Sequence, residues 1–234
     1  MKIGTEQKWE ACEPLLPLIS DSRRQRIARM PSLQNKLLSL SVELLLRKVA
    51  RNQLGVSNEE LILTPSASGK PYFKNYENFH FNWSHTKDAL LLAVSDSTVG
   101  ADIEKLPLRG KIDKLSQRFF TKNEASYVMS EASKSNSRFA YIWTRKEAYT
   151  KYTESGLTVP LDSFDVLLDP AVTGSLQTFA HEEYMISTCV QEKDYRWYLL
   201  SPSSILTEHA DDFTSYQCSP SQTPTALSSE NDVP

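Results

Sequence analysis

Three observations predict an α+β fold. A leucine-rich helix over 33–54 precedes two apolar strands, within residues 80–106, that are split by a polar turn. A second set of helices, from about 122 to 153, again precedes strand-forming segments. Apolar residues recur at helical spacing in the first kind of segment and alternate in the second. Helix first and strands afterwards, twice over, suggests a duplicated α+β unit, although the halves share no evident sequence identity.

Each element follows from local chemistry. In QNKLLSLSVELLLRKVARNQL, 34–54, apolar side chains cover a wide arc, so the helix should be largely buried, and Gly55 supplies its stop. SASGKPYF, 66–73, reads as a Gly-Pro loop entering an extended segment. HFNWSHTKDALLLAVSDSTVGADIEKL, 80–106, reads as strand, turn and strand, with Ser95-Asp96-Ser97-Thr98 at the turn. Thr121 and Glu124 form a capping-box pattern that starts a helix near Lys122. Another helix covers about 136–153, GLTVPLDSFDV (156–166) is a loop into a strand, and further strands are expected near 184–190 and 195–200. Residues 219–234, SPSQTPTALSSENDVP, hold few large apolar side chains and are expected to be disordered. The expected division is an N-terminal half, 1–110, a C-terminal half, 111–218, and this tail.

Composition narrows the function classes. With 234 residues, 40% hydrophobic and 24% charged, the chain can bury a sizeable core. Runs such as ALLLAV, 89–94, are too short to cross a bilayer, so no membrane segment is expected. The N-terminus lacks the pattern of a secretory signal, which predicts a cytoplasmic location. A net charge of −3 offers no global attraction to nucleic acid. Cys12, Cys189 and Cys218 are odd in number and without Cys-x-x-Cys spacing, so neither disulfides nor a zinc site is expected.

Two segments carry chemistry. In VGADIEKL, 99–106, alternation puts Asp102 and Glu104 on one strand face, a pair that repels itself yet suits a hard divalent cation such as Mg²⁺. In YIWTRKEAYTKY, 141–152, Trp143, Lys146, Glu147, Thr150 and Lys151 fall on one helix face. Glu147 offers a third oxygen ligand, and Lys146 and Lys151 offer charge to phosphates that a bound Mg²⁺ contacts. A half-exposed strand and a solvated helix face are the plainer alternatives. Arg23, Arg24, Arg26 and Arg29 form the densest basic cluster, and His85 follows Ser84 in FNWSH; both are anion-binding candidates.

Read in order, GKP at 69–71, FNWSH at 81–85, VGADIEK at 99–105, RFFTKNEA at 118–125, WTRKEAYTK at 143–151 and GLTVPLDSF at 156–164 resemble a 4′-phosphopantetheinyl transferase of the surfactin-synthetase-activating type. The resemblance implies a monomer of two α+β halves related by a pseudo-twofold axis, with the active site in the cleft between them. It also implies transfer of the phosphopantetheine arm of coenzyme A, the co-substrate, to a serine of an apo acyl or peptidyl carrier protein, with release of adenosine 3′,5′-bisphosphate. Nucleic acid and membrane are not implied partners.

Carried over by position, Asp102, Glu104 and Glu147 match the Mg²⁺ ligands, with Mn²⁺ able to substitute. Lys146 and Lys151 match residues near the pyrophosphate. Ser84, His85 and the Gly69-Lys70-Pro71 loop match the nucleotide and 3′-phosphate site, and Arg23 and Arg26 fall where basic residues hold that phosphate. Trp83 stands where an aliphatic residue is usual, Ser68 where an aromatic is common, and Leu106 where a threonine can occur. Glu147 and Lys151 are rival candidates for the base that takes the serine proton. Two other functions are weighed against this one. A metal-dependent nuclease also needs strand acids and a lysine, but at a different spacing. A non-catalytic binding module would be expected to have lost a metal ligand.

Overall fold

The computed structural model describes residues 8–191, 196–198, 200, 205–206, 225–227 and 233. After two short 3₁₀ turns come helix α1, Asp21–Ala28, and helix α2, Leu33–Leu54. The Ser32 hydroxyl accepts from the Asn35 amide at the start of α2, and Gly55, at φ 68°, closes it with its N–H on the Arg51 carbonyl. A left-handed residue there is cheap only for glycine. Two antiparallel hairpins follow: β1, Leu63–Pro65, with β2, Pro71–Phe73, and β3, His80–His85, with β4, Leu90–Ser95.

Strand β5, Gly100–Lys105, leads into helices α3, Ile112–Phe119, α4, Lys122–Met129, and α5, Ser135–Tyr152. The expected capping box at α4 is present in both directions, with Thr121 on the Glu124 amide and Glu124 on the Thr121 amide. A short helix α6, Pro170–Thr173, precedes β6, Leu176–His181, and β7, Tyr184–Cys189; β8 is Thr225–Leu227. These strands form an antiparallel sheet in the order β5-β7-β6-β8.

Helices and antiparallel strands are therefore both present, and the order of helix then hairpin occurs twice, in α2 with β3–β4 and in α5 with β6–β7. Strand β5, assigned by sequence to the first half, pairs with β7 of the second. Its register is Asp102 opposite Ser187 and Glu104 opposite Met185. The β3–β4 hairpin stands beside it, tied by the Asn82 Oδ1, which accepts from the Ala101 amide at 2.9 Å.

The core lies in packed layers. One cluster joins Ile27 of α1 to Leu37, Leu40 and Leu44 of α2, and an aromatic group of Phe73, Phe79 and Phe81 fills the space beneath the end of α2. In the other half Phe139, Ile142 and Ala148 of α5 pack on Met185 and Cys189 of β7. Cys12 and Cys189 are free and buried, and burial pushes the Cys189 thiol up to about 12, which suits a packing role. Cys218 lies outside the described residues.

Two expectations fall in part outside the described residues. Most of the tail expected to be disordered lies outside the described residues; within it Thr225–Leu227 form β8, which hydrogen-bonds along β6, and Val233 is buried in the second core and accepts from the Lys134 Nζ. Its apolar content is small, but strand pairing uses the backbone and needs few apolar side chains. The strand expected near 195–200 lies in part outside the described residues, and 196–198 and 200 have no regular structure. Among the described residues no helix is long and apolar enough to cross a membrane.

Candidate active site

The close approach of β5 to α5 begins at Gly100. A Cβ there would stand 2.0 Å from the Ala148 carbonyl oxygen and 2.5 Å from the Tyr152 nitrogen, both backbone atoms. Any side chain would push helix and strand apart. With none, the two backbones touch, and the residues that follow on β5 meet the side chains of α5. Lys151 donates from Nζ to Asp102 Oδ1 at 2.6 Å and to the Ala101 carbonyl at 3.2 Å. One strand step further, the Trp143 indole lies near enough to the Glu104 carboxyl to favour its charged form. Trp143, Glu147 and Lys151, at i, i+4 and i+8, thus line the acidic face of β5, and helix and strand run in opposite senses.

Electrostatics separate this face from ordinary surface. Asp102 is 5% exposed; its Oδ1 also accepts from the Ser84 hydroxyl at 2.7 Å, while its Oδ2 is buried with no hydrogen-bond partner among the described residues. Burial raises its pKa despite the pull of Lys151 and Ser84. Glu104 is pushed up to about 7, first by burial, then by the negative charges of Asp102 and Glu147. Glu147 is raised by burial and by Asp102. Glu104 and Glu147 both feel the charge of Asp102, and the solvated-face alternative does not explain acids that oppose one another's ionisation.

Among the described residues no three His, Cys, Asp or Glu side chains are gathered tightly enough to hold a metal ion as they stand. The donor set nonetheless fits a hard divalent cation, with three mutually repelling carboxyls and one buried carboxylate oxygen left without a partner.

Lys146 is not part of this face. It is fully buried, and its Nζ lies 2.8 Å from Glu124 Oε2 and 2.6 Å from each of the Leu161 and Phe164 carbonyls. A position one residue before Glu147 is turned by about 100° on a helix, enough to point into the core. The expectation that it sits near a pyrophosphate is corrected: its ammonium ties α5 to α4 and to the loop at 161–166. Thr150 is buried as well, with its hydroxyl on the Glu147 carbonyl.

The remaining sequence candidates divide between two places. Lys70 donates to the carbonyls of Val99 (3.1 Å) and Lys151 (3.2 Å) and pairs with Glu154, which brings the Gly69-Lys70-Pro71 loop against the end of α5 beside the acids. Gly69, at φ 85°, makes that turn. Ser84 faces Asp102. On the other side of β3, Trp83 lies against Arg23, whose Cζ is 5.3 Å from the ring centroid, and alternation assigns exposed His85 to the same side. Arg26 is exposed and close enough for its charge to depress the Arg23 pKa, an effect second to burial. Strand β3 therefore carries both groups, Ser84 toward the acids and Trp83 and His85 toward the arginines.

The 4′-phosphopantetheinyl transferase superfamily matches residues 98–218, and the N-terminal 4′-phosphopantetheinyl transferase family matches 5–97. The chain belongs to the 4′-phosphopantetheinyl transferase superfamily. Relatives of the surfactin-synthetase-activating type agree. The 4′-phosphopantetheinyl transferase psf-1 of Bacillus pumilus is 29% identical over 205 residues, 86% of this chain and 87% of that one. The 4′-phosphopantetheinyl transferase Sfp of Bacillus subtilis strain 168 is 30% identical over 161 residues, 68% of this chain and 70% of that one. The relative gsp of Aneurinibacillus migulanus is 34% identical over 148 residues, 62% of this chain and 60% of that one.

In this phosphopantetheinyl transferase, sequence reasoning passed over two residues that build the site and one that anchors the helix behind it. Gly100 has a signal, a lone glycine inside a strand pattern, which marks close backbone approach. Asn82 joins β3 to β5, and its signal was the polar residue within FNWSH. Glu124 was read only as half of a capping box, yet its Oε1 also accepts from the Val166 amide and its Oε2 holds Lys146.

Proposed function

We propose that this transferase uses coenzyme A as donor and Mg²⁺ as cofactor, and moves phosphopantetheine to a serine of an apo acyl or peptidyl carrier protein, releasing adenosine 3′,5′-bisphosphate. The observation that carries the reading is the acid trio of buried Asp102 and half-buried Glu104 and Glu147, with Lys151 at its edge. The relatives' names state phosphopantetheine transfer, and that chemistry needs charge of this kind. Two sequential helix-and-hairpin units support the pseudo-twofold arrangement.

The transfer forms a bond from the serine oxygen to the phosphorus nearest the pantetheine and breaks the bond from that phosphorus to the bridging pyrophosphate oxygen. The departing electron pair leaves with adenosine bisphosphate. Asp102, Glu104 and Glu147 would hold the cation. Bound there, Mg²⁺ supplies positive charge for the oxygens that gain charge in the transition state. Lys151, anchored on Asp102 and the Ala101 carbonyl, holds an ammonium at the same place, suited to a pyrophosphate oxygen. Its engagement there as a cation favours Glu147 as the group that accepts the serine proton, a role its raised pKa also suits. Ser84 donates to the same Asp102 oxygen as Lys151, which leaves the other oxygen for the cation.

Incubation of the protein with coenzyme A, Mg²⁺ and a panel of apo carriers, followed by intact mass spectrometry, tests the reading. Addition of one phosphopantetheine to a carrier serine, stopped by chelator, is expected. A folded protein that modifies no carrier in a broad panel would contradict it and favour the binding-module alternative.

A further inference from the structure

Trp83 is half-buried, packs against both hydrophobic clusters that border α2, and also meets the arginine group. One face stacks on Phe81, with centroids 5.7 Å apart and planes 10° from parallel. The Arg23 guanidinium lies over the ring at 5.3 Å. The same guanidinium is held from a second direction by Glu43, fully buried, whose Oε2 accepts from Arg23 Nε at 3.3 Å. Glu43 is itself fixed by Arg47 Nε at 2.8 Å, by the Ser20 amide at 2.6 Å and by the Ser20 hydroxyl at 2.9 Å. The nearest remaining contact, Arg23 Nη1 to the Ser39 hydroxyl, is long at 3.5 Å. Among the described residues nothing accepts from Nη2.

We infer that Trp83 is a positioning residue for anion recognition: stacked on Phe81 and within cation–π reach of Arg23, it restrains the guanidinium so that the edge not bound to Glu43 is presented to the 3′-phosphate of coenzyme A. The inference rests on the proposed donor. Arginine is a long side chain that loses much rotamer freedom when it binds, and a stacked aromatic removes that freedom beforehand. The planar fork then meets phosphate with both geometry and charge in place. Trp83 touches no reacting atom in this scheme, because Asn82 and Ser84, its neighbours on β3, face β5 instead. A tryptophan that served packing alone would affect every ligand alike. One that orients Arg23 affects only ligands that carry the phosphate.

The test is calorimetric titration of coenzyme A and dephospho-coenzyme A, which differ only in the 3′-phosphate, into wild type and the variants Trp83→Leu, Trp83→Phe, Arg23→Ala and Trp83→Leu/Arg23→Ala. Trp83→Leu should weaken coenzyme A binding roughly 5-fold, the factor a cation–π contact of ordinary strength supplies, and leave dephospho-coenzyme A within about two-fold. Trp83→Phe keeps a ring face and should recover most of the loss. In the Arg23→Ala background the leucine change should have no further effect. In transfer assays the KM for coenzyme A should rise with little change in kcat. Equal weakening of both ligands, or a loss that persists without Arg23, would overturn the positioning role while Arg23→Ala still separates the ligands. If Arg23→Ala itself fails to separate them, the 3′-phosphate assignment falls and the positioning role falls with it. The phenylalanine variant guards against a folding artefact, since it fills most of the same volume.

Discussion

Lys151 Nζ sits 2.6 Å from Asp102 Oδ1, and the second oxygen of that carboxylate is buried with no hydrogen-bond partner among the described residues. The pair is half of an interaction, with charge supplied on one side and an open acceptor on the other. Removing Lys151 leaves a buried carboxylate held by Ser84 alone, so Lys151→Ala should destabilise the metal-free protein by about 1–3 kcal/mol. Replacing Asp102 by asparagine as well should recover part of that loss. A double-mutant cycle by chemical denaturation should give a coupling above about 0.5 kcal/mol. Additive effects would show that the pair contributes nothing to the fold.

Glu104 sets a stability that depends on pH. Its folded pKa is about 7 against an ordinary 4.5, so the folded protein keeps a proton that the unfolded chain has already released. The associated stability is fully present below about 4.5 and is lost as pH rises through about 7. Glu104→Gln removes this charge. In metal-free buffer the variant should melt higher than wild type at pH 8, and the gap should close toward pH 5. It should also be a poor transferase, because the charge that burdens the fold is the charge the reaction uses. A gap that is constant with pH would place the titration elsewhere.

Lys146 and Lys151 are distinguished by where they spend their charge. Lys146 and Glu124 are a fully buried ion pair, and breaking one by removal of a single partner costs about 3–5 kcal/mol. Lys146→Met should therefore lower the denaturation midpoint sharply, yet the fraction still folded at low temperature should transfer at close to the wild-type rate. Lys151→Met should do the reverse, with a modest change in stability and a rate loss of roughly 100-fold or more. Equal loss of rate in both folded variants would return Lys146 to the site.

Residues beyond 218 carry β8 and Val233, which pair with β6 and fill the second core. Truncation after Cys218 exposes the edge of β6 and empties the Val233 position. A loss of about 1–3 kcal/mol in stability is expected, the value of one buried aliphatic side chain with a short strand added. An unchanged melting curve would mean that this segment contributes nothing to the fold.

What was legible in the sequence was what depends on local chemistry. The capping box at Thr121, the glycine stop at Gly55 and the alternation of VGADIEK each concern residues a few positions apart, where spacing fixes geometry. The acid trio was legible because alternation and helical period put its members on faces, and chance does not place carboxyls together on both. Lys146 was misread for the same reason: at i+3 from Trp143 it shares a nominal face with Glu147, and only the presence of Glu124, 22 positions away, decides that it turns inward. Strand β8 was not legible because composition reports side chains, whereas β8 is held by backbone hydrogen bonds. Neither the Glu43 network nor the contact of Trp83 with Arg23 was legible, since the first depends on α1 meeting α2 and the second on α1 meeting β3, both far apart in the chain.

The most direct test of the proposed site is the time course of carrier modification, followed by intact mass, for wild type and for Asp102→Ala, Glu104→Ala and Glu147→Ala at equal coenzyme A and Mg²⁺. Each variant should stay folded by circular dichroism and transfer at least ~100-fold more slowly, because each removes a charge that orients the pyrophosphate. Near wild-type rates in all three folded variants would contradict the assignment, whatever family the chain belongs to.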